Sequence, residues 1–151
     1  MPGRSGLRNR GAGEDGNNED PQAPIAGAWQ AHPMTHTIMF ACRRVPDLTR
    51  AEYEQHYREI HAPLSRRLPG LVEYRQALLS EGEADGPVPT ARYDSISTYV
   101  FVDDEAARAA WASPEGEAVN NDTPTFMDWQ TIMSFQIQSE RVLTPEEGRH
   151  A

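Results

Sequence analysis

Apolar and polar positions follow two different periods along residues 37–138, and each change of period marks an element. Residues 37–44 (TIMFACRR) form a short continuous apolar run, which predicts a strand covered on both faces. A helix opens after Leu48. Thr49 is a good N-cap, Glu52 completes a capping box, and Leu48 is placed to staple onto Tyr53. Pro69-Gly70 ends this helix near Leu68. Within it Tyr53, Tyr57, Ile60, Leu64 and Leu68 recur at helical spacing and predict the buried stripe. Residues 71–79 read as a second strand, 81–90 as a Gly/Pro/acid loop, and 94–102 (DSISTYVFV) as a β-branched and aromatic third strand. Asp103 or Asp104 caps a helix over 105–112, and a further helical stretch runs from Glu115 into Asn120-Asn121. Residues 129–138 alternate, with Trp129, Thr131, Met133, Phe135 and Ile137 on one face, and predict a two-faced fourth strand.

This β-α-β-β-α-β order predicts an α+β, ferredoxin-like fold with a four-stranded antiparallel sheet and helices on one face only. The first strand is nevertheless apolar on both faces, Met39 and Ala41 alternating with Ile38, Phe40 and Cys42. A second copy of the sheet is the simplest cover, closing a dimeric α/β barrel by two-fold symmetry. The plainer reading is a monomer with a partly wetted apolar face. The domain is expected over 34–143. Residues 1–33 hold six of the eleven glycines and four of the twelve prolines, and read as a disordered tail; 144–151 read as a flexible C-terminal tail.

Composition narrows the chemistry. The net charge is -9, which repels phosphate backbones and argues against nucleic acid. All 14 basic residues are arginine, so Schiff-base, pyridoxal-phosphate and Walker-type lysine chemistry is excluded. Cys42 is the lone cysteine, a small buried hydrophobe rather than a nucleophile on this reading, and a reducing cytoplasm is the expected location. No membrane span is expected. A metal is not expected either. His56 and His61 are five apart, which splays them on a regular helix, and no carboxylate sits at ligand spacing.

The runs Arg43-Arg44-Val45-Pro46-Asp47-Leu48-Thr49, His61-Ala62-Pro63-Leu64 and Leu68-Pro69-Gly70-Leu71, with Tyr93-Asp94-Ser95-Ile96 and Ala109-Ala110-Trp111-Ala112-Ser113-Pro114-Glu115, resemble the EthD family. The resemblance implies a dimeric α/β barrel with a lumenal pocket. Its members include polyketide-tailoring cyclases, aromatic decarboxylases and accessory proteins of ether degradation. The chain departs from the family in its long N-terminal segment. It also carries Ser97-Thr98-Tyr99 where relatives often have Ala-Glu, so no acid–base pairing is carried over.

His61 is the candidate catalytic residue. An advance of about 100° per residue puts it beside the buried stripe, next to Tyr57 and Leu64, with His56 on the opposite edge. The helical spacing alone suits a packing histidine bonded to a carbonyl; the resemblance tips the reading towards a general acid/base. The candidate substrate-binding residues are Tyr57, Tyr99 and Trp129 for stacking, Arg43 for an enolate or carboxylate, and Tyr74, Asp94 and Thr98. Strand parity puts Thr98 with Val100 and Tyr99 with Phe101 on opposite faces, leaving open which face looks into the pocket. The expected function is cyclisation, isomerisation, dehydration or decarboxylation of a small aromatic or polyketide-like molecule, as a lyase or isomerase without cofactor or metal. The alternatives are a non-catalytic binder or accessory protein, and a haem-binding barrel.

Overall fold

The computed structural model describes residues 35–83 and 85–148, together with the backbone of Gln30 and Ala31. The expected tail over 1–33 lies, apart from Gln30 and Ala31, outside the described residues. The chain runs β1 (Gln30–Ala31), β2 (His36–Cys42), α1 (Arg50–His56), a π-helical turn (Tyr57–His61), α2 (Ala62–Ser65), β3 (Leu71–Leu78) and β4 (Ser95–Phe101). It continues with α3 (Asp104–Ala112), α4 (Pro114–Phe126), a 3-10 turn (Trp129–Thr131), β5 (Met133–Ile137) and β6 (Ser139–Glu140). The main sheet has the order β3-β4-β2-β5 with every pair antiparallel, so the ferredoxin-like arrangement is observed. β1 pairs with β6, which ties Gln30 and Ala31 to the body, two residues that the sequence assigned to a free tail.

The capping box forms as expected. Thr49 Oγ1 accepts from the Glu52 amide, and Glu52 Oε2 accepts from the Thr49 amide at 2.8 Å. The helix that follows is not regular. Immediately before Pro63 the backbone widens into the π turn, where the Ala62 amide reaches back to the Tyr57 carbonyl. A proline ring clashes with the carbonyl four residues earlier in a regular α-helix, and the wide turn is a known way to absorb such an insertion. The consequence is a shifted face. Tyr53, Tyr57, His61, Ser65 and Leu68 are the buried positions, while Ile60, expected in the stripe, is 48% exposed. His61 therefore occupies the stripe instead of flanking it.

The sheet's covered face is built to receive this helix. Ser95 and Ser97 on β4 are small enough to admit two phenol rings and polar enough to satisfy them: Tyr53 Oη lies 2.6 Å from Ser95 Oγ and Tyr57 Oη 2.7 Å from Ser97 Oγ. On the helix side, Ser65 meets Tyr99 Oη at 3.0 Å. α4 is longer than expected and starts on Ser113, whose hydroxyl accepts from the Gly116 amide. At Gly116 a Cβ would sit 2.7 Å from the Trp111 carbonyl oxygen, so only glycine lets α4 turn this tightly off α3. Its far end is clamped to the end of β2 by the Val45 amide on the Phe126 carbonyl and the Asp128 amide on the Arg43 carbonyl.

The fourth strand is shorter than its alternation suggested. Trp129–Thr131 is a 3-10 turn, with the Thr131 amide and hydroxyl both on the Asp128 carbonyl, and the period-two pattern there is not a strand. From Met133 onward the alternation holds. Met133, Phe135 and Ile137 pair with Ala41, Met39 and Thr37 on the uncovered face, where Met133 and Phe135 are each about half exposed. Thr98 and Val100 share that face, and Tyr99 and Phe101 point towards the helices. Among the described residues no helix is long and apolar enough to cross a membrane.

Candidate active site

Between the covered face of the sheet and α4 lies a cavity of about 480 Å³, the size range of small-molecule sites. Phe40, Tyr99, Trp111, Val119, Met127 and Trp129 give it an apolar and aromatic wall. Its polar groups are His61, Ser97, Asn120, Thr123, Ser134 and the Cys42 thiol. No Arg, Asp or Glu is among the lining residues. Two of the rings stand nearly perpendicular around the space: Tyr99 and Trp111 meet edge to face with centroids 5.2 Å apart, and Phe40 meets Trp111 at 88°.

Among the described residues His61 is the one imidazole on the wall. Its Nδ1 lies 2.9 Å from Oδ2 of Asp122, which α4 presents from the last turn but one. With Asp122 accepting the Nδ1 proton, the neutral ring carries its lone pair on Nε2. Among the described residues no buried side-chain nitrogen or oxygen lacks a partner, and of the His61 ring only Nδ1 is bonded to one, so Nε2 is the nitrogen left for a ligand in the cavity. Burial holds His61 below its ordinary value of 6.5; the hydrogen bond and charge of Asp122 oppose that effect without overcoming it. The ring is thus neutral at pH 7 and ready to accept a proton. Burial also pushes the Cys42 thiol up to about 12, which removes thiolate chemistry from the site.

Asp122 had no sequence signal beyond following Asn120-Asn121, and it organises the whole constellation. Its other oxygen, Oδ1, is 2.8 Å from Nε2 of His56. Five residues on a regular helix place two side chains about 140° apart. The π turn removes that splay and lets His56 and His61 share one carboxylate, so His56 does not lie on the opposite edge.

Of the other predicted residues, Tyr99 and Trp129 line the cavity. Tyr57 sits behind the wall, its hydroxyl on Ser97, and Tyr74 packs behind Tyr99 with centroids 4.7 Å apart. Three lie elsewhere. Arg43 donates Nε to the Arg92 carbonyl and covers the Tyr93 ring at 4.5 Å, because the end of β2 turns it away from the cavity. Asp94 is taken up by the Arg44 amide and by the Arg44 and Arg50 guanidinium groups. Thr98 is on the uncovered face. The hollow expected between two facing sheets is accordingly not where the imidazole lies: it lines a cavity on the covered face, between helix and sheet residues of one chain.

Comparison with known proteins places these features in a family. The EthD domain model matches residues 45–130, more than half of the chain, from the first capped helix past α4 and including His61 and Asp122. Among curated proteins none matches. Among solved structures, an EthD family protein from Bacillus halodurans C-125 superimposes with a TM-score of 0.50 at 22% identity, covering 66% of this chain and 96% of its own. A variant of SnoaB, a cofactor-independent oxygenase from Streptomyces nogalater, gives 0.52 at 19% identity, covering 74% and 99%. A dimeric ferredoxin-like protein of unknown function from Thermobifida fusca YX gives 0.54 at 17%, covering 72% and 94%. These likenesses establish the fold, and with the domain match across 45–130 the chain belongs to the EthD family.

Proposed function

We propose that this protein is a cofactor-independent enzyme that moves a proton on a small, planar, uncharged aromatic or polyketide-like molecule, with His61 as general base. The observation that carries the reading is the His61–Asp122 pair on the wall of an aromatic cavity. A substrate C–H or O–H gives its proton to Nε2, the electron pair stays on the substrate as a ring-stabilised enolate, and the new imidazolium is countered by Asp122. The same nitrogen then returns the proton to carbon or to a departing hydroxyl. That sequence serves isomerisation, cyclisation or dehydration. Decarboxylation is disfavoured, since a substrate carboxylate would enter a cavity where no described residue offers a cationic side chain to offset its desolvation. The SnoaB likeness supports a reading in which no cofactor is needed.

The reading includes a homodimer through the uncovered sheet face. Its support is the half-exposed Met133 and Phe135 on that face, and structural relatives from Bacteroides fragilis and Thermobifida fusca that are dimeric.

The test is solvent-exchange catalysis. Wild-type protein should accelerate deuterium uptake at C1 of 2-tetralone in D2O, and His61→Ala should lose about 10²–10⁴-fold of it. The wild-type rate should rise with pH through the depressed His61 value, below 6.5, and level off by neutrality, because only the unprotonated ring accepts a proton. A His61→Ala variant as fast as wild type would remove the base. Tight binding of bicyclic aromatic ketones and phenols without any exchange would favour a carrier or accessory protein.

A further inference from the structure

His56 takes no part in the chemistry above, yet it is joined to it through Asp122. Each carboxylate oxygen serves one ring, Oδ1 facing His56 Nε2 at 2.8 Å and Oδ2 facing His61 Nδ1 at 2.9 Å. Side-chain exposure climbs along the row, from 3% at His61 to 11% at Asp122 and 22% at His56, so it leads from the cavity wall to the surface. Phe126 fixes both rings, stacked on His56 with centroids 4.3 Å apart and packed against His61 at 4.9 Å. Resting on the reading of His61 as base, we propose that His56 is its positioning residue, aiming the Asp122 carboxylate at Nδ1 and acting on the base through its own charge.

A carboxylate anchored at one oxygen swings about its last torsion; one anchored at both keeps the second lone pair on target. The charge effect has a clear sign. A protonated His56 repels a proton arriving on His61 and so lowers its basicity. The other groups facing His61 are Tyr57 from its own helix, and Tyr99 and Cys42 across the cavity. Burial raises all three above their ordinary values, so none of them gains a charge between pH 5 and 8. Asp122 and Phe126 of α4 face His56, with the Thr125 hydroxyl 3.4 Å from the shared Oδ1.

Two variants of the full chain separate these roles. His56→Gln keeps an N–H donor without a titrating charge; His56→Phe keeps the stack on Phe126 and removes the donor. Nitrogen-15 spectra of the histidine rings should show His61 with Nδ1 protonated and Nε2 bare in wild type and in His56→Gln. In His56→Phe the two tautomers should mix, and 2-tetralone exchange should fall about tenfold, with His56→Gln recovering most of it. The His61 titration midpoint should move up in His56→Gln. Unchanged tautomer and rate in His56→Phe, or an equal loss of rate in both variants, would overturn the positioning role. If His56→Phe fails to fold, equal His61 midpoints in wild type and His56→Gln overturn the proposal. The tautomer readout needs no turnover: absent exchange in every protein sinks the base reading alone, while an active wild type with an indifferent His56→Phe sinks this inference alone.

Discussion

Asp122→Asn should slow 2-tetralone exchange about a thousand-fold, roughly 4 kcal/mol of transition-state stabilisation, while the protein still folds. The amide is nearly isosteric with the carboxylate, so the packing of α4 against the π turn is retained. What changes is the ring. An amide NH2 turned towards Nδ1 favours the tautomer with the proton on Nε2, where it blocks the nitrogen that must accept one. An amide also offers no charge to the imidazolium formed during transfer. The exchange rate, measured beside a thermal melt that stays cooperative, decides the matter. A folded Asp122→Asn protein with wild-type exchange would show that the carboxylate is structural.

The second large effect concerns assembly. Phe135→Asp should convert a dimer of 16.9 kDa chains into single chains, read by sedimentation velocity at tens of micromolar protein. Phe135 sits on β5 opposite Met39, with Met133 beside it, on the face that no helix covers. A carboxylate pressed into a sheet-to-sheet contact beside Met133 and Met39 costs several kcal/mol of desolvation. The monomeric variant should keep its exchange activity within about threefold, since one chain supplies the residues that line the cavity. A wild-type protein that sediments as one chain would end the dimer, and a Phe135→Asp protein that stays dimeric would move the interface elsewhere.

What could be read from the sequence was what local chemistry dictates. Thr49 and Glu52 are three residues apart and cap one helix turn, so their signal lies wholly within that turn. The β-α-β-β-α-β order followed from the periods themselves. The site was legible only in part. His61 stood out as a residue, but its burial depends on the π turn, which widens ahead of Pro63 and replaces Ile60 with His61 on the packed face. Asp122 was missed because it meets His61 across 61 residues of chain, on a helix whose end the composition left indistinct. That Ser95 and Ser97 receive the phenols of Tyr53 and Tyr57 is a contact between distant segments, which strand periodicity does not carry. Strand parity separated Thr98 from Tyr99 correctly. Which of the two faced the cavity depended on where the helices pack, and that is a long-range property.

The proposed chemistry depends on one ring nitrogen turned into one cavity. Adding 1-naphthol to protein labelled with nitrogen-15 histidine, at neutral pH, tests this without a known substrate. The His61 Nε2 resonance should start at the position of an unprotonated nitrogen and shift saturably as the phenol donates to it, with Trp111 and Trp129 indole signals moving on the same curve. Saturable naphthol binding that leaves the His61 signal unmoved and perturbs the face of Thr98 and Met39 instead would put the pocket on the other side of the sheet and contradict the account.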